Sequence, residues 1–316
     1  MRRLVTSSSQ GSSVAGAPLT GGRGASRTRK FRWQPAWLFA APSILIISVF
    51  IVYPITQSFW YSLHNWRIGR DVQEWLGLAN YTALFADELF WNALRVTVIF
   101  AAVSVVAQIV LGYLAASALL RDTLFNRMVR SIFFFPTIVA LATMGIVWRF
   151  LLDPNIGLVG GLMSAFGAEP IAWLQDTSLA LPTVIFVSVW KNLGFTMVIL
   201  LAALKGIPSH LYEAARIDGA AGFALSWHVT LPSIRPTLLF VTMILTINSL
   251  QVFDLVYVMT NGGPLFTTDT LVTMMFREGF TNFDIGYASA IAWVLFLLIM
   301  ILSALQLRLF RYRDVD

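Results

Sequence analysis

A chain of 316 residues that is 57% hydrophobic and only 12% charged, with a mean hydropathy of +0.73, lies far below the roughly 25% charge of an ordinary soluble domain and belongs in a membrane. Without cysteine it has no disulfide, no thiolate metal site and no cysteine nucleophile. Its formal charge of +6 would suit nucleic acid or a membrane surface, and the position of the basic residues along the chain separates the two.

Residues 1–33 are Ser, Gly, Ala and Arg with almost no large apolar side chain, too little to bury for ordering. They are expected to form a disordered basic cytoplasmic tail, with the cluster from Arg27 to Arg32 against anionic membrane lipid. Six apolar segments follow, each long enough for a hydrocarbon core about 30 Å thick at about 1.5 Å per helical residue. They run near Trp37 to Phe59, Trp91 to Leu120, Ser131 to Leu152, Leu179 to Leu204, Pro236 to Met259 and Gly286 to Leu309. The first is too long and too well flanked for a cleaved leader and should remain as an anchor.

The domain reading is therefore the tail, residues 34–90 with the first transmembrane helix and an outer loop, a transmembrane core at 91–310, and a cytoplasmic C-terminal tail at 311–316. The polar, aromatic loop from Tyr61 to Phe90 is expected to carry a short interfacial helix around Asn80 to Ala86. The Gly- and Pro-rich stretch from Asp153 to Leu174 is too broken to span and should lie at the outer surface. "TNGGPLFTTDT", from Thr260 to Thr270, carries a turn signature. No period of about 20 to 50 residues repeats.

With the N-terminus inside, the inner segments hold sixteen basic residues: Arg2, Arg3, Arg23, Arg27, Arg29, Lys30, Arg32, Arg121, Arg127, Arg130, Lys205, Arg216, Arg235, Arg308, Arg311 and Arg313. The outer loops hold three, Arg67, Arg70 and Arg277. This is the positive-inside pattern, so both termini are expected in the cytoplasm and no nucleic-acid partner is needed to explain the charge. His64, His210 and His228 do not cluster, and no metal site is expected. The lysines Lys30, Lys191 and Lys205 follow Arg, Trp and Leu, so none ends a phosphate-cradling Gly-Lys-Ser/Thr loop. With no nucleophile-base set either, the chain reads as neither an ATPase nor another enzyme, and no cofactor is expected.

The loop at 206–235 is the longest inner connection and holds "YEAARIDGAA". Pro208 stops the preceding helix, and a new one can run from Ser209 or His210 to Ile217. Asp218-Gly219 is a stop, with Gly able to take the left-handed conformation that closes a helix. A second short helix is expected from Ala220 to about Val229, ending before Leu231-Pro232, with Asp218 able to cap it. Helices this short are marginal alone, and their alanines leave room for another surface.

Two membrane segments carry polar groups that are costly in hydrocarbon and usually line a cavity. Ser188, Lys191 and Asn192 interrupt the fourth, with Trp190 and Phe195 beside them; Asn248, Ser249, Gln251 and Asp254 interrupt the fifth. Residues 248, 251 and 254 share one broad helical face. A sugar is held by hydrogen bonds to hydroxyls and by aromatic faces, and these stripes supply both. Lys191 would lie roughly 18 Å below the outer end of its helix and Asp254 only about 7 Å, so a direct ion pair is not expected.

Glu213, Ala214, Ala215, Asp218, Gly219 and Ala220, followed by Leu231, Pro232 and Pro236, resemble the cytoplasmic coupling loop of permease subunits of binding-protein-dependent ABC importers. "WLFAAPSILIISVFIVYPITQSFWYSL" at 37–63, "WKNLGFTMVILLAALKGIP" at 190–208, "FDLVYVMTNGGP" and "FDIGYASAIAWVLF" are similar to the carbohydrate branch, the maltose-type and glycerol-phosphate-type permeases. The resemblance covers about residues 35–312. Ala224, Leu225 and Ser226 depart from it, since many relatives place polar or basic residues and an aromatic there.

The resemblance implies an all-α type I permease fold with six transmembrane helices in a bacterial-type inner membrane and a coupling helix between helices 4 and 5. It implies a heterodimer with a homologous permease, two ATP-binding subunits and an extracytoplasmic solute-binding protein. Glu213 would anchor the ATPase while Ala214, Ala215 and Gly219 permit a close fit. The solute would meet Ser188, Lys191, Asn192, Phe195, Asn248, Ser249 and Val252. A glycerol-3-phosphate or glycerophosphodiester importer of the same family stays open as the alternative. An ion-coupled secondary transporter would show discontinuous helices and internal repeats and would leave the coupling loop unexplained.

Overall fold

The computed structural model describes residues 36–69 and 73–311. The tail expected at 1–33 with its cluster from Arg27 to Arg32, the outer-loop residues Arg70 and Asp71, and residues 312–316 lie outside them. The chain up to Ile51 forms one compact unit and Val52 onward another. The first holds α1 (Ala36–Ile47) and all but the last residue of the π-helical turn at Ser48–Val52. Its apolar side chains from Ile44 to Ile51 are exposed, as a lipid-facing helix requires.

The second unit opens with α2 (Tyr53–Ser62) and a short antiparallel ladder of β1 (His64–Asn65) and β2 (Glu74–Trp75), His64 opposite Trp75. The short helix expected in this loop is α3 (Ala79–Ala86). Buried Asn80 ties it to the end of α2, its Nδ2 donating to the carbonyls of Ser62 (2.8 Å) and His64 (3.0 Å). The Asp87 carboxylate then caps α4 (Glu88–Ala118) by accepting from the Leu89 amide.

α5 (Leu124–Ile138), α6 (Leu141–Leu151), α7 (Leu158–Ala165), α8 (Ala180–Lys205) and α9 (Ser209–Ile217) follow. Next come α10 (Phe223–Leu225), a π-helical turn at Ser226–Thr230, α11 (Leu231–Ser233), α12 (Arg235–Leu250) and α13 (Asp254–Met259). α14 (Leu271–Phe276), a π-helical turn at Arg277–Thr281 and α15 (Ile285–Arg311) complete the chain. Four helical stretches, Phe39–Ser62, Glu88–Ala118, Ala180–Lys205 and Ile285–Leu309, are long and apolar enough to cross a membrane. Two bent pairs, Leu124–Ile138 with Leu141–Leu151 and Phe223–Ser233 with Arg235–Leu250, bring the number to six when each pair counts as one crossing.

Three expectations change. The third span, expected as one helix from Ser131 to Leu152, is α5 and α6 bent by 100°. Val139 and Ala140 are extended there (ψ 139° and 143°), and Pro136 in the last turn of α5 withdraws a helical N–H. The fifth span, expected to run to Met259, stops at Leu250: Phe253 leaves helical geometry (φ −132°, ψ −65°) and the Thr270 hydroxyl donates to the Val252 carbonyl at 3.3 Å. Asn248, Gln251 and Asp254 therefore do not share a helical face.

The second short helix of the 206–235 loop begins at Phe223 rather than Ala220, because Gly222 at φ +55° holds the chain out of helix. It also continues through Leu231-Pro232 before bending by 76° into α12. The wide π turn just before Pro232 relieves the clash its ring would make with a carbonyl four residues back in an α-helix.

α8 is the central element, packed between α4 and α5. Gly112 of α4 lies against Thr196 of α8, where an added Cβ would sit 2.5 Å from the threonine Cγ2. Gly194 of α8 lies against the α5 backbone, where a Cβ would overlap the Phe133 carbonyl and come within 2.6 Å of the Phe134 Cα. Both approaches demand glycine for its missing side chain. The Thr137 hydroxyl adds a hydrogen bond to the Lys191 carbonyl at 3.1 Å.

Candidate functional site

Between these helices lies a cavity of about 320 Å³. All nine residues expected along the path line it: Ser188, Lys191, Asn192 and Phe195 of α8, with Asn248, Ser249, Gln251, Val252 and Asp254 from α12, the break after it and the start of α13. The break that removes the shared helical face is what brings Gln251, Val252 and Asp254 to the same wall. α4 contributes Phe100 and Gln108, and Phe253 adds an aromatic face. Trp190, expected beside the polar groups, packs edge-on against Trp148 instead, with ring centroids 5.4 Å apart.

Exposure is graded around the wall. Ser188, Lys191, Ser249 and Val252 are buried, Asn192 and Phe195 half-buried, and Asn248, Gln251 and Asp254 exposed. Asn192 donates its Nδ2 to the Ser188 carbonyl at 3.0 Å. Among the described residues the side chains of Lys191, Asn248, Ser249, Gln251 and Asp254 make no hydrogen bond to protein, and Lys191 and Asp254 form no ion pair, as the difference in depth led one to expect. The cavity thus presents free amide, hydroxyl and ammonium groups next to phenylalanine faces, a set that can hold a polyhydroxylated solute.

Sequence reasoning missed Gln108. The signal was available, since a carboxamide inside an apolar helix is as costly as the polar groups chosen on the fourth and fifth segments. A second cavity of about 340 Å³, lined by Arg149, Asp153, Gln175 and Thr260 among others, contains none of the expected residues.

The loop at 206–235 forms a separate surface. Glu213 and Ala214 of α9 are exposed and Ala215 is half-buried. The Ala220 amide donates to the Ala215 carbonyl (2.9 Å) and the Gly219 amide to that of Arg216 (3.1 Å), with Gly219 at φ +81°. This paired closure of a helix end is the role expected of Gly219. Asp218 does not cap the second helix. It ends α9, that helix starts five residues later at Phe223, and the Asp218 carboxylate accepts no hydrogen bond among the described residues.

Ile217, Phe223 and Trp227, not singled out from sequence, are 86%, 80% and 58% exposed, and the last two rings stack at 6.0 Å. Three large apolar residues within a polar loop were the overlooked signal. The Tyr212 and Thr230 hydroxyls lie 3.3 Å apart and join α9 to the π turn. At the foot of α8, Asp122 meets Arg130 (3.2 Å), Arg127 (3.3 Å) and Lys205 (3.7 Å). The Arg127 hydrogen bond, then Arg130, hold its carboxyl below the ordinary 3.8.

The model of the binding-protein-dependent transport system inner membrane component family matches residues 108–313. The chain belongs to that family. Among its relatives, the probable ABC transporter permease protein YurN of Bacillus subtilis is 34% identical over 87% of this chain and 95% of that protein. The trehalose/maltose transport system permease protein MalF of Thermococcus litoralis is 33% identical over 90% and 98%. The sn-glycerol-3-phosphate transport system permease protein UgpA of Agrobacterium fabrum is 30% identical over 86% and 93%.

Two crystal structures of bacterial alginate ABC transporters, one in complex with an alginate-bound periplasmic protein, contain chains of the same fold. Their TM-scores are 0.74 and 0.76 at 22% identity, over 86% and 88% of this chain. This inner membrane component is thus a multi-pass ABC importer permease, and its role is transport rather than catalysis.

Proposed function

We propose that this permease forms the path for a sugar or sugar-like solute and is driven by a separate ATPase seated on the loop at 206–235. The observation that carries the reading is the cavity lined by all nine residues chosen from sequence. Hydrogen-bonding groups with unused capacity stand beside aromatic faces there, and MalF of Thermococcus litoralis is named for trehalose and maltose. Lys191 favours a second reading. It is a buried cation with no carboxylate within 4.0 Å among the described residues, and it suits an anionic solute such as sn-glycerol 3-phosphate, the solute in the name of UgpA.

On the loop, Glu213 anchors the ATPase, Ala214, Ala215 and Gly219 keep the surface close-fitting, and Asp218 stands exposed beside them. The exposed trio Ile217, Phe223 and Trp227 supports this, since large apolar groups on a polar loop mark a docking surface. The assembly is a heterodimer with a second permease, two ATP-binding subunits and an extracytoplasmic binding protein. Both termini lie in the cytoplasm, as the positive-inside pattern suggests.

The test is uptake in vesicles holding the whole transporter, with a panel of mono-, di- and trisaccharides and sn-glycerol 3-phosphate. ATP-dependent accumulation of a panel sugar supports the first reading, and accumulation of the phosphate ester alone replaces it with the second. Uptake that survives deletion of the ATPase and collapses with the ion gradient sinks both.

A further inference from the structure

We propose that Gln108 of α4 contacts the solute and sets specificity in the cavity, its carboxamide exchanging hydrogen bonds with adjacent hydroxyls of a polyhydroxylated molecule. This rests on the reading of that cavity as the solute path.

Gln108 is 1% exposed, and its Oε1 is buried and accepts no hydrogen bond. It nevertheless lines the same cavity as Lys191, Asn192 and Asn248, and Phe100, two turns earlier on α4, lines it too. A buried acceptor left unmade costs desolvation energy that an apolar residue of the same size would avoid. α4 could take leucine there as it does at Leu111 and Leu114, so packing alone gives no reason for an amide. Solute contact gives one. A carboxamide carries one acceptor oxygen and two N–H donors, enough to engage two neighbouring hydroxyls at once. It does so from α4, a third helix beside α8 and α12 on the cavity wall, and as a neutral group it reads hydroxyls rather than charge.

Ser104, one turn earlier, provides the contrast. Its hydroxyl is also buried and unpartnered, but it is not among the cavity residues, so Ser104→Ala should leave uptake unchanged.

The experiment compares Gln108→Leu, Gln108→Glu and Ser104→Ala in the full transporter. Uptake of the panel of saccharides and sn-glycerol 3-phosphate is measured with the binding protein loaded to saturation, so that differences arise in the permease. Thermal unfolding of the assembled complex is measured in parallel. Gln108→Leu is expected to keep or raise the unfolding midpoint while lowering uptake about three- to tenfold, the size of one or two lost hydrogen bonds. Gln108→Glu should change the preference between a sugar and its deoxy analogue.

Uptake by Gln108→Leu within twofold of wild type overturns the proposal, and so does a joint fall of stability and uptake, which marks a packing role. If Gln108→Leu does not assemble, an unchanged analogue preference in Gln108→Glu overturns it and a changed one supports it. Asn192→Ala and Asn248→Ala separate the two levels. If both leave uptake intact, the cavity is not the path and this inference falls with that reading; if both lower it while the Gln108 variants do not, only the role of Gln108 fails.

Discussion

Gly194 of α8 and Phe133 of α5 touch backbone to backbone, with no room for a methyl group between them. The obstacle is main chain, which cannot rotate away as a side chain can. Gly194→Ala should therefore lower stability by about 2 kcal/mol, within the range for overpacking. Gly112→Ala meets a threonine side chain instead and should cost about 1 kcal/mol. Thermal unfolding of the purified permease in detergent ranks the two. Equal costs would show that α5 can retreat from α8, and because Lys191 and Asn192 sit within one turn of Gly194, the cavity would then be deformable.

Lys191 and Asp254 line one cavity as independent charges, with no ion pair between them. Lys191→Met and Asp254→Asn should each lower uptake, and the double variant should lower it by the product of the two factors, a coupling below about 0.5 kcal/mol. A coupling above about 1 kcal/mol would mean that the charges pair during transport. Uptake unaffected by either single change would remove both charges from the path.

The kinds of residue at the site were legible in the sequence, and their arrangement was not. Polar groups in an apolar run announce themselves because hydrocarbon penalises them, so Ser188, Lys191, Asn192, Asn248 and Gln251 could be chosen unaided. The break after Leu250 could not. No proline or glycine marks it, and the Val252 carbonyl there is taken by the Thr270 hydroxyl, eighteen residues away in sequence. Gly219 is legible as a helix end because left-handed backbone is a local preference of glycine. Gly222, three residues on, also has a positive φ but an extended ψ (+55°, −120°), and it displaces the start of the next helix. Ala220 to Gly222 look helix-compatible by composition, and only the second positive φ overrides that.

Glu213→Lys and Gly219→Val address the loop through different physics. A Cβ at Gly219 would meet nothing within 4 Å, so the cost of valine is conformational, a β-branched residue forced to φ +81°, on the order of 1–3 kcal/mol. The helix end should fray while the protein stays in the membrane. Glu213→Lys leaves the fold intact and reverses one exposed charge. Both variants should assemble poorly with the ATPase and lose at least tenfold in uptake, read by co-purification and vesicle transport. Trp227→Ala should weaken co-purification likewise. Normal uptake by all three would show that the ATPase seats elsewhere.

Asp122 predicts a pH and salt dependence at the foot of α8. Its carboxyl is held below 3.8 in the folded chain by Arg127 and Arg130, so it ionises more readily folded than unfolded. The contribution of the cluster is then fully present above pH 3.8 and is lost as pH falls through the lower folded value. It does not change across the neutral range. All partners are partly solvated, so salt should weaken it at any pH. Because the chain has no native cysteine, a spin label on Phe125→Cys, an exposed position in the first turn of α5, reports the local order cleanly. The label should be immobile at pH 7 in low salt and become mobile only as pH falls through the folded value, which lies below 3.8, or in about 1 M salt. In an Asp122→Asn background it should be mobile throughout; a label unmoved by acid, salt and Asp122→Asn alike would show that the four charges do not hold α5 to the end of α8.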